Sequence, residues 1–141
     1  MEQRPIIKHL SNKPKETLVK PKLESNTYDH DFGDIGGGVH SFNFELINKS
    51  DNNIIIISAK AGCGCTNPEY EQYKILATDE VTTLIAKYDT NYGGKRSTGN
   101  FNKSITVTYN FEAIHNNKML TPAQKHLTEQ KLVLHIKGKV I

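Results

Sequence analysis

The chain has 141 residues, 18 Lys and Arg against 15 Asp and Glu, and a net charge of +3, which suits one hydrophobic core with an appendage. Two cysteines, two positions apart, are too few for a disulfide-stapled secreted scaffold. The longest apolar run, Ile54 to Ile57, is far too short to be a membrane span.

Residues 1–22 differ in kind from the rest. Arg4, Lys8, Lys13, Lys15, Lys20 and Lys22 stand against Glu2 and Glu16, a net +4 that leaves about −1 for residues 23–141. Pro5, Pro14 and Pro21 forbid a helix, and the apolar residues are too scattered to bury one another, so an extended arm is expected. Twenty-two extended residues reach roughly 70 Å. An arm of this composition becomes ordered only against a surface, with Arg4, Pro5, Ile6, Ile7, Leu10, Leu18 and Val19 as the expected partner-binding residues. It lacks aromatics between its cations and is sparsely charged, which argues against nucleic acid as its partner. Nor does Met1–Lys8 contain the apolar core of an export signal, so retention in a cytoplasm is expected.

From Asn26 the pattern is β. Phe42, Phe44 and Leu46 alternate with Asn43 and Glu45, a half-buried strand, and Asn48–Asn53 is a polar turn. Ile54–Ile57 reads as a buried β-branched strand. Leu84, Ala86 and Tyr88 form another one-faced set, as do Ile105, Val107 and Tyr109. Leu132, Leu134, Ile136 and Val140 form the closing strand. Residues 111–128 are a long connection whose Thr121-Pro122-Ala123-Gln124 predicts a capping box and one short helix. These elements imply an all-β, antiparallel sandwich over 23–141.

Little in the sequence looks like chemistry. Asp31-Phe32-Gly33 spells a kinase magnesium motif without the other kinase elements; Phe32 reads as a core anchor and Gly33 as a bend. Gly36–Gly38 and Gly93–Thr98 lack the spacing of a nucleotide loop and read as turns. Six scattered histidines suggest no catalytic set, so a non-enzymatic protein without a cofactor is expected. Cys63 and Cys65 project to one side if their segment is extended, which opens a metal or redox reading. A zinc site would need two further ligands, such as His30 or His40, and a disulfide between such close neighbours would close a strained ring. Buried thiols beside Gly64 are the favoured reading.

Tyr28-Asp29-His30-Asp31-Phe32-Gly33-Asp34-Ile35, Phe42-Asn43-Phe44, Cys63-Gly64-Cys65-Thr66, Tyr88-Asp89-Thr90 and Gly99–Val107 occur in this order, followed by Leu134–Val140. In these pieces the chain resembles the bacterial Ig-like family known as domain of unknown function 1573. The resemblance implies an immunoglobulin-like sandwich in which His30, Asp31, Phe32, Gly33, Cys63, Gly64 and Cys65 are structural, and it implies no activity. Two departures are the missing export signal and the long 111–128 connection. Ig-like domains also decorate tailed-phage particles, where export is not needed. The expectation is therefore a structural protein of a bacteriophage virion, an auxiliary or decoration capsid protein assembled in the host cytoplasm and docked on other subunits by its arm. Two alternatives stay open: an adaptor or chaperone-like binding domain in a bacterial cytoplasm, and a metal or redox module at Cys63 and Cys65. Self-association of the chain also stays open.

Overall fold

The computed structural model describes residues 19–141. Nine strands form two sheets: β1 (Leu23–Ser25), β2 (Asp29–Ile35), β3 (Val39–Asn48), β4 (Ile54–Ala61), β5 (Thr66–Glu69), β6 (Ile75–Leu76), β7 (Val81–Asp89), β8 (Gly99–Phe111) and β9 (Gln130–Val140). One sheet has the order β1-β3-β7-β5 and the other β2-β9-β8-β4-β6. The fold is thus the expected all-β Ig-like sandwich.

Alternation builds the core. Phe44, Leu46, Leu84 and Ala86 from one sheet are fully buried against Ile56, Ile105, Val107, Leu134 and Ile136 from the other. Ala86 aside, each of these side chains contributes about 1.5–3 kcal/mol on leaving water. The isoleucine run is a buried strand as expected, with Ile54, Ile55 and Ile56 buried and Ile57 half-buried, but its two faces differ. Ile54 and Ile56 face the core, and Ile55 lies on the other face, outside the core cluster. A register shift between Ile56 and Ser58 then inserts one residue, so the next core residue is Ala59, three positions on rather than two.

The architecture differs from expectation in two respects. It is not wholly antiparallel: β2 pairs with β9 in parallel, with Asp29 opposite His135 and Ile35 opposite Val140. The chain joins the first sheet as β1, crosses over at Asn26–Tyr28 and continues in the second sheet as β2. Such a crossing strand runs beside β9 without a hairpin to fix its direction.

The 111–128 connection also holds two helices rather than one, α1 (Glu112–His115) and α2 (Pro122–His126). The predicted capping box is present in α2, with Thr121 accepting from the Gln124 amide and the Gln124 side chain accepting from the Thr121 amide. One turn long, α1 is too short to show a period; the Asn53 amide side chain donates to the Glu112 carboxylate at 3.1 Å and holds it. Asn110 fastens the connection to the sheet. Its Nδ2 donates to the Lys125 carbonyl at 2.9 Å, and its Oδ1 accepts from the Thr128 hydroxyl at 2.8 Å. No helix among the described residues is long and apolar enough to cross a membrane.

Candidate functional site

The His30–Gly33 run shapes an edge strand. Asp31 Oδ1 accepts from the Gly33 amide at 2.8 Å, and Gly33 sits at φ +71°, a conformation glycine adopts freely. The pairing of β2 with β9 shifts register at this point. Opposite, Gly138 lets the two strands meet, since a Cβ there would lie 2.9 Å from the Gly33 carbonyl oxygen and 3.0 Å from the Phe101 ring. The rings of His30 and Phe32 point inward. His30 stacks on Phe42 at 3.7 Å and meets Phe32 edge-on at 4.6 Å. Burial pushes the His30 pKa down, against a weaker upward pull from Asp31.

Where the first strand changes sheets, β3 is left partly bare. The strand β1 covers only Leu46 to Asn48. Asn26 extends this cover by one residue, donating its amide to the Glu45 carbonyl at 3.0 Å and accepting from the Glu45 amide through Oδ1 at 2.9 Å. The backbone groups of Glu45 therefore point away from β7. Strand geometry repeats every two residues, so those of Asn43 and Ser41 point the same way. No described residue bonds to them, and the neighbouring Val39 is 61% exposed. Among the described residues, the run Val39–Asn43 is thus an open edge on a strand paired along its other side with β7. Sequence reasoning missed it, because an edge arises from which strand ends where and leaves no trace in the pattern of Phe42, Phe44 and Leu46.

Of the residues expected to bind a partner, Arg4, Pro5, Ile6, Ile7, Leu10 and Leu18 lie outside the described residues. Val19 is 73% exposed. Pro21 is buried, and Lys22 is tied to the sandwich by its amide to Ser50 Oγ at 2.6 Å and its carbonyl to the Lys49 amide at 2.8 Å.

Cys63 and Cys65 correct a further expectation. They are joined as a disulfide rather than held as buried free thiols. The expected extended segment is in fact a turn between β4 and β5, and the turn brings the two sulfurs together. A bonded pair also lacks the thiolates that a metal would require. The turn is held from both sides: the Thr66 amide donates to the Cys63 carbonyl at 3.1 Å, and the Asp89 amide to the Cys65 carbonyl at 2.8 Å. Tyr92, 57% exposed, lies across Gly64, whose missing side chain makes room for its ring. The two sulfurs differ. Cys65 is 9% exposed, whereas Cys63 is only partly buried and its Sγ accepts from the Cys65 amide at 3.1 Å. Closing so small a loop contributes only about 1.6 kcal/mol on the chain-entropy scale, roughly half the value for 15 residues.

Comparison with known proteins extends the picture. No curated protein matches the sequence. Among solved structures, the ASH / PapD-like domain of human CEP192 superposes with a TM-score of 0.62 at 11% identity, covering 88% of this chain and 93% of that one. A protein of unknown function from Porphyromonas gingivalis W83 gives 0.60 at 12% identity over 88% of this chain and 50% of that one. WR4, an MSP family member of C. elegans, gives 0.56 at 9% identity over 84% and 97%. At such identities the likeness is one of fold, PapD-like and Ig-like. The sequence itself matches one family model, protein of unknown function DUF1573, over residues 23–122. That span runs from β1 into α2 and includes both the His30–Gly33 bend and the cysteine turn; the chain belongs to the DUF1573 family.

Proposed function

We propose that the chain is a protein-binding assembly module rather than an enzyme, and that it takes up an extended peptide of its partner along β3. The observation that carries this reading is the edge at Val39–Asn43, whose outward backbone groups meet no partner among the described residues, on a strand fixed along its other side by β7. Strand addition draws affinity from main-chain hydrogen bonds and specificity from side chains flanking the edge. Ser41, Asn43 and Val39 flank it here. A PapD-like sandwich whose first strand leaves an edge bare supports the same reading.

In its most specific form, the partner is a bacteriophage virion subunit and the chain an auxiliary or decoration protein. Support for this form comes from composition: a proline-spaced segment of net +4 with Ile6, Ile7, Leu10 and Leu18 as anchors, suited to lying across a neighbouring subunit. An adaptor for a cellular client is the competing form, and it needs only the edge.

Two variants separate them. Asn43→Pro removes an outward amide while keeping every bond to β7, so the sandwich should fold and lose its partner. Deletion of residues 1–20 leaves Pro21 and Lys22 in place; under the virion form it should abolish co-sedimentation with particles. Unchanged co-sedimentation by the deletion overturns the virion form, and unchanged partner capture by Asn43→Pro overturns strand addition.

A further inference from the structure

The cysteine turn carries chemistry that a binding module does not require. We propose that Cys63 and Cys65 form a thiol–disulfide exchange site that accepts two electrons from a peptidyl dithiol, with Cys63 as the reacting sulfur and Cys65 as the resolving one. This site is separate from the β3 edge and stands or falls without it.

Three observations carry the assignment. First, the bond joins residues only two positions apart, in a turn already closed by backbone bonds to Thr66 and Asp89. It therefore adds little constraint that the fold lacks, which sets it apart from a structural staple. Second, the two sulfurs are unequal in the way an exchange pair requires. Cys63 is the accessible one, and the Cys65 amide points at its Sγ, a hydrogen bond that stabilises a thiolate once the bond opens. Cys65 is buried, with the Thr66 hydroxyl 3.8 Å from its sulfur. Third, the pair borders a cleft of about 350 Å³ between the turn, the Tyr92 segment and the start of β8. Tyr88 and Phe101, stacked at 4.1 Å and nearly buried, floor the cleft, while Asn100, Asn102 and Lys103 give it a mainly polar surface. A polar peptide segment bearing cysteines suits that surface.

The reaction balances within the two partners. A substrate thiolate attacks Cys63 Sγ; the Cys63–Cys65 bond breaks, and its electron pair leaves on Cys65 Sγ, which takes up a proton. The result is a mixed disulfide at Cys63. The second substrate thiolate then attacks the substrate sulfur of that bond, forming the substrate disulfide and releasing Cys63 as a thiolate held by the Cys65 amide. Two electrons pass from the substrate dithiol to the chain, once per chain; of the two protons the dithiol gives up on forming its thiolates, one ends on Cys65 and the other stays in solvent. Thiol–disulfide exchange runs through such a mixed intermediate in either direction.

The test uses the full chain. Oxidised wild-type protein is mixed with an equimolar reduced peptide containing two cysteines, and both are alkylated and weighed by mass spectrometry over an hour. Transfer of the disulfide from chain to peptide, with the far-ultraviolet circular dichroism unchanged, is the expected result; retention of the chain disulfide overturns the proposal. This experiment needs no substitution and stays informative even if a cysteine variant fails to fold. For the order of the sulfurs, Cys65→Ser and Cys63→Ser are each incubated with glutathione disulfide. Cys65→Ser should gain a glutathione adduct at Cys63 at least tenfold faster than Cys63→Ser gains one at Cys65. Equal rates, or the reverse order, overturn the assignment of Cys63 as the reacting sulfur.

Discussion

Asn48 is fully buried at the end of β3, and both ends of its side chain are satisfied. Its Nδ2 donates to the Asn52 and Leu76 carbonyls, each at 2.9 Å, while its Oδ1 accepts from the Ser50 amide at 2.7 Å. Asn48→Ala leaves those backbone groups without partners and should cost about 2 kcal/mol, measured by urea denaturation. Glycine substitutions should split by what the new methyl group meets. At Gly138 it meets the Gly33 carbonyl oxygen and the Phe101 ring, which cannot move cheaply, so Gly138→Ala should cost about 1–3 kcal/mol. At Gly64 it meets only the Tyr92 hydroxyl end, and that side chain can swing into solvent. Gly64→Ala should therefore fold with near wild-type stability. The His30 ring adds a pH dependence. Burial holds its folded pKa below the usual 6.5, so below pH 6.5 the unfolded chain takes up this proton before the folded chain does. Stability is complete above 6.5 and falls as the pH drops from 6.5 through the folded value. Between pH 7 and pH 5, the denaturation midpoint of wild type should fall further than that of His30→Phe.

Among the elements, the 111–128 connection shows how a long loop is kept in place by few contacts. Its capping box satisfies two amides at the start of α2, and the Asn110–Thr128 pair joins its far end to the sheet. Thr121→Ala should raise hydrogen exchange through residues 122–127 and cost about 1 kcal/mol locally, with global unfolding little changed. The capping box was legible in Thr121-Pro122-Ala123-Gln124 because it depends on residues three apart in one segment. The four residues of α1 gave no such signal, since they are held by Asn53 from another loop. The same distinction applies to strands. Phe42, Phe44 and Leu46 alternate over enough residues to be read directly. By contrast β1, β5 and β6, with three, four and two residues, are too brief to alternate and exist because a longer neighbour pairs with them. The bulge at Ile57 was hidden inside a run of identical residues.

For the whole molecule, the sandwich was written in the sequence, and of its sites only the cysteine pair was, as one reading among several. One-faced strands need two layers, and the His30–Gly33 and Cys63–Thr66 pieces pointed to one family. The direction of β2 and the bare stretch of β3 depend on how distant segments meet, which no single stretch encodes; the cysteine bond is local, and an extended reading of its segment misses it because the segment is a turn. The parallel pairing of β2 with β9 has a mechanical consequence. Tension applied through the two ends of the domain, once β1 has peeled away, would slide these strands past each other lengthwise. The hydrogen bonds between them would then be loaded together in shear instead of unzipping one by one. A domain clasped this way resists stretching far better than one whose terminal strands form a hairpin, a useful trait for any protein that must hold its partner while being pulled.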